Sequence, residues 1–145
     1  MRLRKILSIA LAAGIFCTTN FTLVEAQEMN NEKREAVKIV QTAGRDNLGE
    51  FAPDFARYND DILFGEVWSK NDVLSLHDRS IVTVSALIAS GITDSSLKYH
   101  LSSAKSNGVT KEEMAEIITQ LGFYAGWPKA WAAFNMAKEV YADKQ

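Results

Sequence analysis

The chain has 145 residues, with 16 basic and 18 acidic side chains and a formal net charge of −2. This length suits one domain built around one hydrophobic core. An acidic balance is a poor match for the phosphate backbone of nucleic acids, so we predict no nucleic-acid partner.

The N-terminal 26 residues have the pattern of a secretory signal peptide. A basic start is followed by an apolar run over residues 6–16, and Ala26 provides a small side chain for cleavage. We predict removal of residues 1–26 and an exported domain, 27–145, in the periplasm or outside the cell. The apolar run is short for a membrane span, which predicts no stable membrane anchor after cleavage, with an uncleaved anchor as the alternative. Cys17, the single cysteine, would leave with this segment.

The next part of the chain predicts two helices. Apolar residues at helical spacing favour a first helix over residues 32–43, ended by Gly44. Pro53 suits the first turn of a second helix, because its missing N–H is not needed there. Four side chains form the apolar stripe of this helix, which Glu66 continues: Phe55, Tyr58, Ile62 and Leu63.

Two further helices follow, each with a capping residue. Ser75 and Asp78 resemble a capping box before the apolar run 81–89, which Gly91 ends. Thr93 or Asp94 caps the following helix. That helix has an apolar stripe with His100 among its members: Leu97, Leu101 and Ala104.

The last two helices have equally clear signals. Thr110 and Glu113 form a second capping box, before a stripe of four residues: Met114, Ile117, Ile118 and Leu121. Gly122 and Gly126 allow close approach, and Pro128 begins the final helix. We find no alternating strand pattern, so the chain is predicted to be all-α, a single compact domain of about six helices.

His100 is the first candidate for chemistry near neutral pH, because its imidazole lies on the apolar side of a helix. The alternative is a structural histidine that is hydrogen-bonded to a carbonyl in the core. His77, the other histidine, is predicted to be a surface residue beside Asp78.

Two charged residues are further candidates. A carboxyl in an apolar pocket would have a raised pKa, which would suit Glu66 as a proton donor; the alternative is a helix end that reaches water. Arg79 near a helix start is poorly placed for the helix dipole, which favours a role in binding a substrate carboxylate. Its alternative is a salt bridge to Asp78 or Asp72.

Several site types have no signal in the sequence. There is no Gly-rich phosphate loop, no Gly-x-Ser-x-Gly elbow, and no His-x-x-x-His or Cys-x-x-Cys spacing. We therefore predict no metal site.

Five stretches, in this order and spacing, resemble the carboxymuconolactone decarboxylase family across about residues 50 to 142. They are Gly65-Glu66-Val67-Trp68, Asp78-Arg79-Ser80-Ile81-Val82-Thr83, His100, Asn107-Gly108-Val109-Thr110-Lys111-Glu112-Glu113 and Tyr124-Ala125-Gly126-Trp127-Pro128-Lys129-Ala130. The resemblance implies an alkylhydroperoxidase D-like helical bundle without a cofactor. It also implies rings, often trimers or hexamers, with a pocket near a subunit interface.

The alkylhydroperoxidase D relatives use a Cys-x-x-Cys motif followed four residues later by a histidine. His100 matches that histidine, whereas Thr93 and Ser96 stand at the cysteine positions. Without thiolates there is no disulfide redox chemistry, so a thiol peroxidase is disfavoured.

The resemblance to the decarboxylase branch implies a lyase acting on a small carboxylated lactone or similar acid. In this hypothesis Arg79 holds a carboxylate, His100 faces the oxyanion or protonates carbon, and Glu66 acts as an acid or orients His100. Three aromatic residues would bind the small-molecule substrate: Trp68, Tyr124 and Trp127. The alternative is a non-catalytic oligomeric module that binds a small ligand.

Overall fold

A computed structural model describes residues 34–142. Six helices form this part of the chain, and it contains no strand, so the all-α prediction is confirmed. Their bounds are α1 (Ala43–Leu48), α2 (Pro53–Arg57, continuing as a π-helix over Tyr58–Trp68), α3 (Leu76–Ser90), α4 (Ser95–Ser106), α5 (Lys111–Ala125) and α6 (Trp127–Val140). None of these helices is long and apolar enough to cross a membrane.

The helix starts follow the capping signals in the sequence. Ser75 Oγ accepts from the N–H of Asp78 at 3.0 Å at the start of α3. The side chain of Asp94, rather than Thr93, caps α4. Thr110 and Glu113 form both bonds of a capping box at the start of α5. Each of these caps satisfies backbone donors that the first helical turn leaves unpaired, which fixes where the helix begins.

The hydrophobic core lies between α3, α4, α5 and α6. It includes the predicted stripe of α4, since Leu97, Leu101 and Ala104 are each 0% exposed. Met114 and Ile118 from α5 are buried against it, while Ile117 and Leu121 are partly buried. Full burial of each large aliphatic side chain contributes about 1.5–3 kcal/mol, so the packing of these four helices is a main source of stability for the described residues.

The predicted first helix is wrong over its described part. Residues 34–42 are not helical, and the helix begins at Ala43. We call residues 34–42 the N-terminal strap. Its backbone bonds to distant side chains instead of to its own carbonyls: Val37 N donates to Asn71 Oδ1, and Ile39 N donates to Ser69 Oγ.

Gly44 does not end a helix but lies buried inside α1. Its N–H donates to Asp60 Oδ1 at 2.9 Å, and an added Cβ would lie 2.7 Å from that same oxygen. Only glycine allows α1 to approach the carboxyl of Asp60 this closely. Gly44 therefore allows close contact between α1 and the π-helix. The tendency of glycine to end helices does not predict this role.

The predicted apolar stripe of α2 does not face the core. Its four members are all exposed, from 37% to 60%: Phe55, Tyr58, Ile62 and Leu63. The buried positions are instead Ala56, Asp60 and Gly65. From Tyr58 onward the chain has π-helical turns, in which hydrogen bonds span five residues, so the spacing of an α-helix no longer predicts which residues share a face.

Candidate functional site

An open cavity of about 320 Å³ lies between the N-terminal strap, the π-helix and α4. We call it the His100 cavity. Four apolar side chains line it: Ile39, Phe64, Trp68 and Leu76. The polar side chains of the lining come from the strap, from α4 and from its C-cap: Gln41, Tyr99, His100, Ser102, Ser103, Ser106 and Asn107. A concave site with an apolar wall and a few polar groups suits a small organic ligand.

His100 is half-buried in this cavity and makes no hydrogen bond to any other described residue. The structure therefore does not show the structural alternative, a histidine bonded to a core carbonyl, within the described residues. Burial lowers the pKa of His100 from its ordinary value of 6.5, because the charged form loses solvation. A neutral imidazole has one N–H donor and one acceptor nitrogen, and both are available to a ligand.

The ring of Tyr99 lies edge-on to His100, with 5.1 Å between ring centroids. Because Tyr99 and His100 are consecutive on α4, this contact limits the rotation of the imidazole within the cavity. The side-chain hydroxyls of Ser102 and Ser103 donate to carbonyls of the preceding helical turn, at 3.0 and 3.1 Å. Their oxygens can still accept a hydrogen bond, so they add acceptors to the lining.

The π-helix supplies the aromatic wall of the cavity. Phe64 and Trp68 lie 5.8 Å apart between ring centroids, and both are half-buried. Ser69 Oγ donates to the carbonyl of Phe64 at 3.0 Å, where the helix ends. Departures from α-helical turns are frequent at functional sites because they re-aim side chains. Trp68, predicted to bind substrate, therefore lies in the same cavity as His100.

The other two predicted catalytic residues do not line the His100 cavity. Glu66 is exposed on the π-helix. Arg79 is half-buried in the first turns of α3, where Nη2 donates to the carbonyl of Lys70 at 3.0 Å. Its Nε is buried and has no hydrogen-bond partner in the described part of the chain. The convergence of Glu66 and Arg79 on His100 that the sequence predicts is not present within this one described chain.

Tyr124 and Trp127, also predicted to bind substrate, lie outside the cavity. They belong to an exposed patch at the junction of α5 and α6, with Phe123 and Trp131; we call these four residues the aromatic surface. Their exposed fractions range from 51% to 84%. Phe123 and Trp127 contact each other edge to face at 5.2 Å. An apolar patch of this kind is characteristic of an interaction surface.

Sequence reasoning missed Gln41. It lies in a segment that the sequence predicts as helix, and nothing in its neighbourhood marks it as a site residue. The structure places it in the wall of the cavity because the strap crosses that side of the molecule.

The His100 cavity carries little fixed charge. Among the described lining residues there is no lysine, arginine, aspartate or glutamate. Residues 34–142 also contain no group of three or more histidine, cysteine, aspartate or glutamate side chains that could hold a metal ion. The lining residues can donate and accept hydrogen bonds, and His100 can also take part in proton transfer.

Comparison with known proteins shows similarity to one family model and to two relatives. The model of the carboxymuconolactone decarboxylase family matches residues 53–139. The chain is 43% identical, over 98 residues, to the 4-carboxymuconolactone decarboxylase of Acinetobacter baylyi; this alignment covers 68% of the chain and 72% of that protein. It is 28% identical, over 85 residues, to an uncharacterized 15.0 kDa protein of Paracoccus denitrificans, covering 58% of the chain and 63% of that protein.

Proposed function

Because this chain belongs to the carboxymuconolactone decarboxylase family, we propose that it is a cofactor-free carboxy-lyase acting on a small carboxylated lactone or a similar acid. The observation that carries the proposal is His100, which faces an open cavity with both ring nitrogens free of other described residues. A relative that matches 68% of the chain is a 4-carboxymuconolactone decarboxylase, which suggests the substrate class.

The proposed reaction breaks the bond between a carbon atom and its carboxylate. The electron pair of that bond stays on the carbon and delocalises toward the lactone carbonyl, while carbon dioxide leaves. A proton then adds to a carbon of the resulting enolate. The protein must provide a hydrogen-bond donor for the developing oxyanion and a path for the incoming proton.

His100 supplies the hydrogen-bond donor in this proposal. With its pKa lowered by burial, the imidazole is neutral at pH 7 and donates through its one N–H group. Such a donor stabilises negative charge where it develops on the lactone oxygen. The apolar wall formed by Phe64 and Trp68 lowers the local polarity on one side of the cavity, which strengthens this interaction.

Glu66 and Arg79 keep the roles that the family resemblance implies. Arg79 would hold a substrate carboxylate through its guanidinium, and Glu66 would orient His100 or deliver the proton. Because neither residue lines the cavity of its own chain, we propose that they act across a subunit contact. The exposure of Glu66 and the half-buried position of Arg79 are compatible with such a contact.

We further propose that the chain forms a homo-oligomer, a trimer or hexamer. Two exposed apolar regions support this: the aromatic surface and the exposed stripe of α2.

Trp131 is 68% exposed, and substituting it is the most direct test of whether the aromatic surface forms the subunit contact. We expect Trp131→Glu to lower the mass measured by light scattering, with Asn135→Glu on the same helix as control. A wild-type protein of monomeric mass would contradict the proposal.

Export of the chain also remains a proposal, because residues 1–26 lie outside the described residues. We expect the protein in the periplasmic or secreted fraction to begin at Gln27. Fractionation with intact-mass measurement tests this, and a protein retained in the cytoplasm with its first 26 residues would contradict it.

The decisive experiment measures carbon dioxide release from 4-carboxymuconolactone by the purified protein. We expect His100→Ala to reduce kcat/KM at least ~100-fold, a typical loss for an acid–base or oxyanion group, with helicity and assembly unchanged. His77→Ala is the matched control, because it removes the other histidine, which lies outside the cavity. Full activity in His100→Ala would overturn the assignment. A wild-type protein that binds the lactone without releasing carbon dioxide would instead favour the non-catalytic binding module.

A further inference from the structure

We infer that Gln41 is a substrate-binding residue of the His100 cavity, whose side-chain amide donates hydrogen bonds to a carboxylate or lactone oxygen of the substrate. This inference rests on the proposed function and adds to it a binding group from the N-terminal strap. Four features of the structure carry it, namely the orientation of the amide, its free donors, the anchoring of the strap and the charge of the cavity.

The orientation of the Gln41 amide is fixed by its neighbours. Its Oε1 accepts from the backbone N–H of Thr42 at 3.0 Å and from that of Ala43 at 3.1 Å, at the start of α1. A backbone N–H can only donate, so the oxygen of the amide must face these two groups. The NH₂ group is therefore held on the opposite side of the side chain.

The NH₂ group of Gln41 has no hydrogen-bond partner among residues 34–142, and it is not sealed from solvent. The half-buried side chain lines the same cavity as His100. A side chain that lines the cavity thus keeps two N–H donors that no other described residue occupies. An amide that is held at one end and free at the other loses little side-chain entropy when it binds a ligand.

The strap that carries Gln41 is anchored at three of its residues by hydrogen bonds to residues 65–71. These residues form the end of the π-helix and the loop that follows it. Val37 is bonded to Asn71, Ile39 N donates to Ser69 Oγ at 2.8 Å, and Lys38 Nζ donates to the carbonyl of Gly65 at 2.6 Å. These bonds connect residues 27 to 34 positions apart in the chain. The wall that contains Gln41 is therefore positioned before substrate arrives, which favours binding.

Within the one described chain, the lining of the cavity offers a substrate no positive charge, which gives this amide its importance. No lysine or arginine is among the described lining residues, and His100 is held neutral by burial. A carboxylated substrate still needs donors for its oxygens when it leaves water. In the described wall of the cavity, the NH₂ group of Gln41 is a donor that can meet this need.

The test compares Gln41→Glu with the wild type in the carbon dioxide assay on 4-carboxymuconolactone. Glutamate retains an oxygen for the N–H groups of Thr42 and Ala43 but replaces both donors with a second carboxylate oxygen. We expect KM to rise about 10-fold or more, as for the loss of a hydrogen bond to a charged group, while kcat changes much less and the melting temperature is kept. Gln120→Glu, an exposed substitution on α5 with the same change in charge, should leave KM unchanged.

Gln41→Leu separates loss of the donor from charge repulsion. If Gln41→Leu also raises KM, donation by the amide is supported; a wild-type KM in Gln41→Leu, or in both variants, would overturn the inference. A wild type that releases no carbon dioxide would refute the proposed function, not this inference. In that case, calorimetry would compare the affinity of the wild type and of Gln41→Glu for the same lactone. Equal affinities, or no binding to the wild type, would overturn the inference about Gln41.

Discussion

Asn71 and Val37 pair through two hydrogen bonds although 34 residues separate them in the chain. Val37 N donates to Asn71 Oδ1 at 2.8 Å, and Asn71 Nδ2 donates back to the carbonyl of Val37 at 2.7 Å. The same Nδ2 also donates to the carbonyl of Trp68 at 3.1 Å. One buried side chain thus satisfies the strap backbone and links it to the aromatic wall of the His100 cavity.

We predict that Asn71→Asp releases the strap. The substitution keeps the shape and the acceptor, but it removes the donor and places a carboxylate beside two carbonyl oxygens. We expect the free energy of unfolding to fall by about 1–3 kcal/mol, the cost of leaving such groups unpaired. Denaturant unfolding measures this, and hydrogen exchange at Val37 and Ile39 should become faster. Asn135→Asp, exposed on α6, is the control, and equal stability of Asn71→Asp and wild type would contradict the prediction.

The pH dependence of turnover should report the neutral form of His100. Burial lowers the pKa of this imidazole below 6.5, so its neutral form persists to lower pH than that of an exposed histidine. We expect kcat/KM to fall as the pH drops through this lowered pKa and to stay level from there to neutral pH. A profile that falls as the pH rises past the same point would show that the protonated imidazole is the active form.

His77 should stabilise the fold in a pH-dependent way. Its Nδ1 lies 3.0 Å from Asp78 Oδ1, and its Nε2 lies 3.3 Å from Glu113 Oε1 at the start of α5. The hydrogen bond with Asp78, then that with Glu113, raises the pKa of His77 above 6.5, against the effect of burial. Its contribution is complete below pH 6.5, the unfolded value, and is lost as the pH rises through the raised folded pKa.

We therefore expect His77→Gln to destabilise the protein at pH 5.5 by about 0.5 kcal/mol, the scale of a partly exposed ion pair, and to have little effect at pH 8.5. Thermal unfolding of both proteins at the two pH values measures the difference. The same loss at both values would show that the charge of His77 contributes nothing.

A side chain at position 122 should destabilise the protein while Trp127 is present. A Cβ at this position would lie 2.9 Å from Cε3 and from Cζ3 of the Trp127 ring. Because an indole ring cannot bend, we expect Gly122→Ala to cost about 1–3 kcal/mol, as overpacking does. Adding Trp127→Leu should remove most of that cost in a double-mutant cycle, followed by denaturant unfolding. If the losses of the two single variants simply add in the double variant, the cost of Gly122→Ala does not come from contact with the Trp127 ring.

The sequence predicted those features that depend on neighbouring residues. The caps at Ser75 and at Thr110 with Glu113 form within four residues of chain, so their signals are local and complete. The buried stripe of α4 follows from the regular turn of an α-helix, which places Leu97, Leu101 and Ala104 on one face. The same regularity placed His100 beside that stripe, and the family resemblance was likewise carried by residues whose order is visible in the chain.

Tertiary contacts alone decided the arrangement around His100. The strap is not helical because Asn71 and Ser69, about 30 positions away, accept its N–H groups, and this brings Gln41 into the cavity. The π-helical turns of α2 put Trp68 in the wall and leave Glu66 exposed. Local patterns cannot encode such outcomes, because the free energy that selects them comes from hydrogen bonds and packing between segments far apart in sequence.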